Sequence, residues 1–187
     1  MLFRSLIEAA KKKPGEISYA ATGRGRITHL TMELMQNMTG AKLQLVPYSG
    51  GPAQAMNDIT TGRVGLVLDG YASLAGSLQG NVIKGLAHSG LERLKEFPDM
   101  PTVAETLPGF QSGGWNVIIA PVGTPDAIVR KVSADMRKVL DEAEVRAKLA
   151  NLGAFVRHFT PEELATFTQQ EQKTWRPILE QVAKEVQ

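Results

Sequence analysis

Along its first half the chain repeats one unit: a short apolar run, a turn built on glycine, and a stretch whose apolar residues recur at helical spacing. Glu16 to Ala21 carries aromatic and β-branched side chains and reads as a strand. Ala21-Thr22-Gly23-Arg24-Gly25-Arg26 follows as a glycine-rich loop. Leu30, Leu34, Met35 and Met38 then fall on one face of a helix that Gly40 ends. Leu43 to Val46 is a second strand, Pro47-Tyr48-Ser49-Gly50-Gly51 a turn, and Pro52 to Ile59 a helix with proline in its first turn. Val64 to Leu68 reads as a buried strand, Asp69-Gly70 as a loop, Tyr71 to Leu78 as a helix and Val82 to Ala87 as a further buried strand. Alternation of this kind predicts an α/β architecture with a largely parallel sheet.

The flanks add helices. Phe3 to Lys13 has a small apolar stripe (Leu6, Ala9, Ala10), lysines in its last turn and Pro14-Gly15 as a stop. From Leu91 to Phe110 the periodicity fades among prolines, and the segment reads as irregular. Gly114 to Ala120 and Ala154 to Phe159 read as strands. Thr124-Pro125-Asp126 predicts a helix start with threonine as N-cap, its buried face formed by Ile128, Val129, Val132, Met136 and Val139. Glu142 to Leu152 predicts another helix, stopped by Gly153. Thr160-Pro161-Glu162-Glu163 is a capping box opening a long last helix, with Phe167, Trp175, Ile178, Leu179 and Val182 as its buried contacts.

Composition narrows the function classes. The 187 residues suffice for one ordinary domain or two small lobes. The net charge of +2, from 21 basic and 19 acidic side chains, argues against a dedicated nucleic-acid binder. The absence of cysteine excludes disulfides, thiolate metal sites and a cysteine nucleophile. Apolar runs such as Val117 to Val122 are far shorter than the roughly 20 residues a bilayer requires. Glu8 and Lys11 to Lys13 interrupt any secretory h-region, so the N-terminus reads as cytosolic or incomplete.

The chemistry concentrates in the loops. Gly23 and Gly25 let the backbone turn tightly, and the following helix aims free N–H groups at whatever lies before it. With Arg24 and Arg26 alongside, that arrangement suits a carboxylate or phosphate. It is neither a phosphate-binding Gly-Lys-Ser/Thr loop nor a dinucleotide fingerprint. A second loop, Tyr48-Ser49-Gly50-Gly51, holds the same topological place, and Asp69 ends a third strand there. Loops at the carboxyl ends of parallel strands face one crevice, where open α/β sheets bind ligands. Asp69 is equally suited to receive a ligand or to order its own loop. His29, in the first turn of the helix after the glycine loop, is expected to donate to the loop backbone. His29, His88 and His158 show no metal-ligand spacing, so no metal or other cofactor is predicted. Trp115 and Trp175 are expected in the core, and no catalytic constellation is found.

Taken in order, the motifs resemble a known family. They are Ile17-Ser18-Tyr19-Ala20-Ala21-Thr22-Gly23-x-Gly25, His29-Leu30, Val46-Pro47-Tyr48-x-Gly50-Gly51-Pro52-Ala53, Gly62, Asp69, Pro98-Asp99-Met100-Pro101-Thr102-Val103-Ala104-Glu105, Pro108-Gly109-Phe110, Trp115 and Ala120-Pro121-x-Gly123-Thr124-Pro125. This series resembles the substrate-binding proteins of tripartite tricarboxylate transporters, the TctC or Bug family. The resemblance implies a periplasmic-binding-protein-like (type II) α/β fold of two lobes closing on a small carboxylate. It implies a periplasmic protein that catalyses nothing, delivers its cargo to membrane transporter subunits and binds no nucleic acid. It also implies ligand-binding roles for Thr22, Gly23, Gly25, Tyr48, Ser49, Gly50, Gly51 and Asp69, and their loop neighbours Ala21, Arg24 and Arg26 join them as candidate ligand-binding residues. The glycine loops would supply backbone N–H donors, with hydroxyl help from Thr22 and Ser49.

The departures are specific. Arg26 stands where the family usually has a small hydroxyl residue, a change that either adds a bidentate carboxylate contact or blocks a small ligand, and Val64-Gly65 replaces a usual Val-Asp pair. Family members carry a long further stretch before this start, with a signal peptide and a loop that grips the ligand's other carboxylate. The expectation is therefore a fragment: 1–110 as the complete second lobe, 111–187 as the C-terminal part of the first, and Met1 to Ser5 as non-native sequence. Two other readings fit the residues. One is the effector-binding domain of a transcriptional regulator with similar architecture. The other is an enzyme acting on a phosphorylated or carboxylated metabolite, which would need a base or nucleophile near Thr22 or Asp69.

Overall fold

The computed structural model describes residues 2–94 and 97–184. Of the readings above, those for Met1, for 95–96 within the irregular segment and for 185–187 fall outside the described residues. The chain forms two compact units, one running to Gly114 and including Val182 onward, the other Trp115–Gln181.

The first unit holds α1 (Phe3–Lys12), β1 (Ser18–Ala21), α2 (Ile27–Thr39), β2 (Gln44–Pro47), α3 (Pro52–Thr60), β3 (Leu66–Val67), α4 (Tyr71–Gln79) and a 3₁₀ turn at Val103–Glu105. The sheet has the order β2-β1-β3 and is parallel throughout, with Ala21 opposite Pro47 and Ala20 opposite Val67. Parallel neighbours need a crossover, and the helices between the strands supply it. Helices on both faces leave β1 no exposed side. Tyr19 and Ala21 pack with Leu6, Met35 and Phe110, while Ala20, facing the other way, packs with Tyr48, Ala55 and Val64. α1 buries Phe3, Leu6, Ile7 and Ala10, a slightly different stripe from the expected one. Gly40 closes α2 in the left-handed conformation (φ 72°), its N–H donating to Gln36 O at 2.7 Å, as a glycine stop should.

The strands are shorter than their apolar runs, and the amides explain why. Glu16 N–H donates back to Lys13 O, so β1 starts later than its sequence run. Leu43 N–H goes to the Gln36 side chain, which delays β2. Val64 N–H bonds Asp58 O, closing the end of α3 and reducing the third strand to two residues. The expected strand at Val82 to Ala87 does not form. The amides of Val82 and Ile83 turn back to Ser77 O, and pairing nearby among the described residues is one bridge between His88 and Thr102.

The second unit contains α5 (Asp126–Asp141) and α6 (Ala143–Asn151), with α7 (Pro161–Lys184) beginning in it. Neither expected strand forms there. Gly114 to Ala120 makes no ladder among the described residues, and Ile119 is 84% exposed. Ala154 to Phe159 is held by side chains instead. The Arg157 guanidinium lies over the rings of Phe159 and Phe167, which stack 5.2 Å apart, and His158 Nε2 meets Asp141 Oδ1 at 2.9 Å. The apolar face of α5 exists but none of it is buried: Ile128, Val132 and Val139 are all exposed. Thr124 does not cap α5. Its hydroxyl donates to Pro121 O and Pro125 takes the N-cap position. The capping box at α7 is formed in full, Thr160 Oγ1 accepting from Glu163 N–H at 3.2 Å and Glu163 Oε2 from Thr160 N–H at 2.7 Å. Ile178 and Val182 on α7 are buried, whereas Leu179 is exposed.

Candidate ligand-binding site

The parallel register brings the carboxyl ends of β1, β2 and β3 level with one another. Each runs through a loop into a helix, at residues 22–26, 48–51 and 68–70. The loops hang from neighbouring carbonyls of β1, because Tyr48 N–H donates to Ala21 O at 2.8 Å and Leu68 N–H to Ala20 O at 3.1 Å. The N-cap residues of α2, α3 and α4 are Arg26, Gly51 and Gly70, and no side chain caps any of the three helices. None of these residues offers the short side-chain oxygen that capping requires. Three sets of first-turn amides are therefore left without a side-chain acceptor at one edge of the sheet, where partial positive charge collects.

Ala21, Thr22, Tyr48, Gly51 and Asp69 all line one narrow crevice at that edge, too tight in this structure for a water-sized group. So the structure brings together residues from all three predicted loops. Arg24 and Arg26 lie outside the crevice walls, exposed, with no ion-pair or hydrogen-bond partner for their side chains among the described residues. Ser49 and Gly50 form the exposed tip of the second loop, and a Cβ added at Gly50 would sit 2.7 Å from the Gln54 carboxamide. Gly51 adopts φ 83°, ψ −175°, a conformation that only glycine takes without strain.

Several of these side chains serve the fold before any ligand. Thr22 is clasped to α2: Thr28 Oγ1 accepts its N–H at 3.1 Å and lies 2.9 Å from its hydroxyl. Tyr48 donates its hydroxyl to Asp58 Oδ2 at 2.7 Å, and that carboxylate holds the phenol above its ordinary pKa. Asp69 Oδ1 accepts the Gly70 N–H at 2.6 Å, so of its two candidate duties the loop-ordering one is occupied. Gly25 N–H points inward to His29 Nδ1 at 3.0 Å. The expectation that His29 donates to the loop is thereby reversed, since a backbone N–H can only donate.

Sequence reasoning missed Thr28, Asp58 and Glu33, whose Oε1 lies 3.5 Å from His29 Nε2. The signals were a hydroxyl two residues into the helix and a carboxylate one turn beyond the histidine. Neither tryptophan is core: Trp115 is exposed, Trp175 half-buried, and both indole N–H groups donate to Glu171 Oε2. Among the described residues no group of three His, Asp or Glu side chains is placed to hold a metal ion.

The family model described as "Tripartite tricarboxylate transporter family receptor" matches residues 2–183. This chain belongs to that family. A curated relative from Pseudomonas sp. (strain P51), the UPF0065 protein in the tcbD-tcbE intergenic region, is 31% identical over 176 residues, covering 93% of this chain and 52% of the relative. Among solved structures, Rhodopseudomonas palustris Rpa4515 with adipate superposes with a TM-score of 0.78 at 27% identity, covering 97% of this chain and 61% of that one. MatC from the same organism, with bound malate, superposes with a TM-score of 0.74 at 28% identity, covering 95% and 62%. The receptor-family chain thus spans about half the length of its curated relative and shares the α/β fold of these binding proteins.

Proposed function

We propose that this receptor-family chain captures a small carboxylate outside the cytoplasmic membrane and delivers it to the membrane subunits of a tripartite transporter, without catalysing a reaction. The observation that carries the reading is the placement of three uncapped helix N-termini after three adjacent strands, at the carboxyl edge of one parallel sheet. Peptide N–H groups so arranged stabilise negative charge without bringing a counter-charge into the crevice. The bound dicarboxylates of two family structures belong to the same chemical class. In this reading 1–110 is the family's second lobe and 111–187 part of its first.

Within the site, Thr22, Gly23 and Arg24 present one loop, Ser49 to Gly51 the second, and Asp69 closes the third side. Arg24 and Arg26 raise the local concentration of anions and contact a carboxylate directly once it is seated. Isothermal titration with malate, adipate and citrate, against the matching diamides as neutral controls, tests the reading. Heat released by at least one acid and by none of the amides is the expected result. Equal responses to acid and amide, or none to any acid in the panel, would overturn it.

A further inference from the structure

A buried polar chain runs from the glycine loop through α2 to the entry of β2. Gly25 N–H donates to His29 Nδ1 at 3.0 Å. On the other side of the ring, His29 Nε2 lies 3.5 Å from Glu33 Oε1. That oxygen accepts the Gln36 Nε2–H at 2.6 Å, and Gln36 Oε1 in turn accepts the Leu43 N–H at 2.6 Å. His29 is 1% exposed, and Glu33 and Gln36 are also buried. The periodicity of α2 makes this possible, because residues four and three apart stack on one face. Burying three polar side chains in a lobe this small is costly unless each one is bonded, and each of them is bonded.

The direction of the chain fixes its chemistry. Nδ1 accepts, so the neutral ring carries its proton on Nε2, facing the Glu33 carboxylate. The carboxylate thus sets the tautomer and the tautomer sets the loop.

We propose that His29 and Glu33 are positioning residues for the glycine loop: the imidazole turns the Gly25 amide inward, and the Glu33 carboxylate holds the imidazole in the state that can do so. The proposal rests on the receptor reading for what the loop then does. With the Gly25 amide committed inward, the amides of Gly23 and Arg24 remain, neither having an acceptor among the described residues. The loop's contribution to ligand binding is therefore those two amides, and not the Gly25 N–H that the glycine pattern suggests.

Three measurements on the 187-residue chain test this. The ¹⁵N spectrum of the imidazole should show Nδ1 unprotonated and Nε2 protonated at neutral pH; a protonated Nδ1 overturns the proposal. Amide exchange should speed up at Gly25 by about tenfold or more in His29→Leu while Ala20 in β1 is unchanged. His29→Asn, whose Oδ1 sits near the place of Nδ1, should restore most of the protection. Unchanged exchange at Gly25 in His29→Leu overturns the proposal. If that variant fails to fold, His29→Asn decides, and loss of Gly25 protection there overturns the proposal in the same way. Titration with malate, adipate and citrate separates the two readings. Binding that is undiminished in His29→Leu overturns the positioning role and leaves the receptor reading standing. The expected tautomer and Gly25 response in a chain that binds none of malate, adipate and citrate supports the positioning role and overturns the receptor reading.

Discussion

The Tyr48 hydroxyl donates to Asp58 Oδ2 at 2.7 Å, locking the loop after β2 to the helix that follows it. Tyr48→Phe should therefore lower the melting temperature while changing dicarboxylate affinity less than about threefold, since the hydroxyl faces the helix and not the crevice. The raised phenol pKa has a definite sign. The folded state holds this proton above the unfolded value, so stability is full below about pH 10 and falls as the phenol ionises. Absorbance titration should lose a late component in Tyr48→Phe, and Asp58→Asn should bring the Tyr48 transition down.

Gly51→Ala tests the turn itself. An alanine there must adopt the glycine-only conformation at φ 83°, ψ −175° or move the start of α3. A loss of about 1–3 kcal/mol in denaturant unfolding is expected, with weaker binding because the crevice wall moves. Gly113→Ala, at a glycine with open space around its Cβ position and ordinary φ, serves as the control and should cost far less.

Charge beside the crevice should act at a distance. Arg24→Ala and Arg26→Ala leave the fold intact, because both side chains are exposed and without partners among the described residues. Each should weaken malate or adipate binding several-fold at low salt, and the difference should shrink as ionic strength shortens the Debye length below about 10 Å. Titration at two salt concentrations reads this directly.

Glu105 contributes to the acid limb of the pH profile, alongside Asp135, Asp141 and Glu162. The Arg93 guanidinium grips both of its oxygens and the Thr102 N–H donates to Oε1 at 2.9 Å, which together hold its carboxyl down at about 2. The folded pKa lies below the unfolded one, so this contribution is present above about pH 4.5 and is lost as pH falls toward 2. Thermal melts between those limits should decline more steeply for the native chain than for Glu105→Gln.

What was legible in the sequence was local. Gly40 as a helix stop and Thr160 to Glu163 as a capping box depend on residues a few positions apart, and both form as read. The apolar runs at Val82 to Ala87, Gly114 to Ala120 and Ala154 to Phe159 promised strands that do not form. A strand depends on a neighbour elsewhere in the chain, which no run of valines and isoleucines specifies. The three loops of the site were readable because glycine, proline and strand ends punctuate them. The direction of the His29 hydrogen bond was not, because either ring nitrogen can bear the proton and only the fold decides which.

The missing caps on α2, α3 and α4 put stability and binding in opposition. A serine or aspartate at Gly70 would bond the first-turn amides of α4 and gain about 1 kcal/mol for the helix. On the proposed receptor reading that side chain would also be a permanent intramolecular competitor for a soluble carboxylate. Substitutions that toughen this chain at its helix starts should therefore behave as tethered inhibitors, and a screen for heat resistance alone would select against cargo.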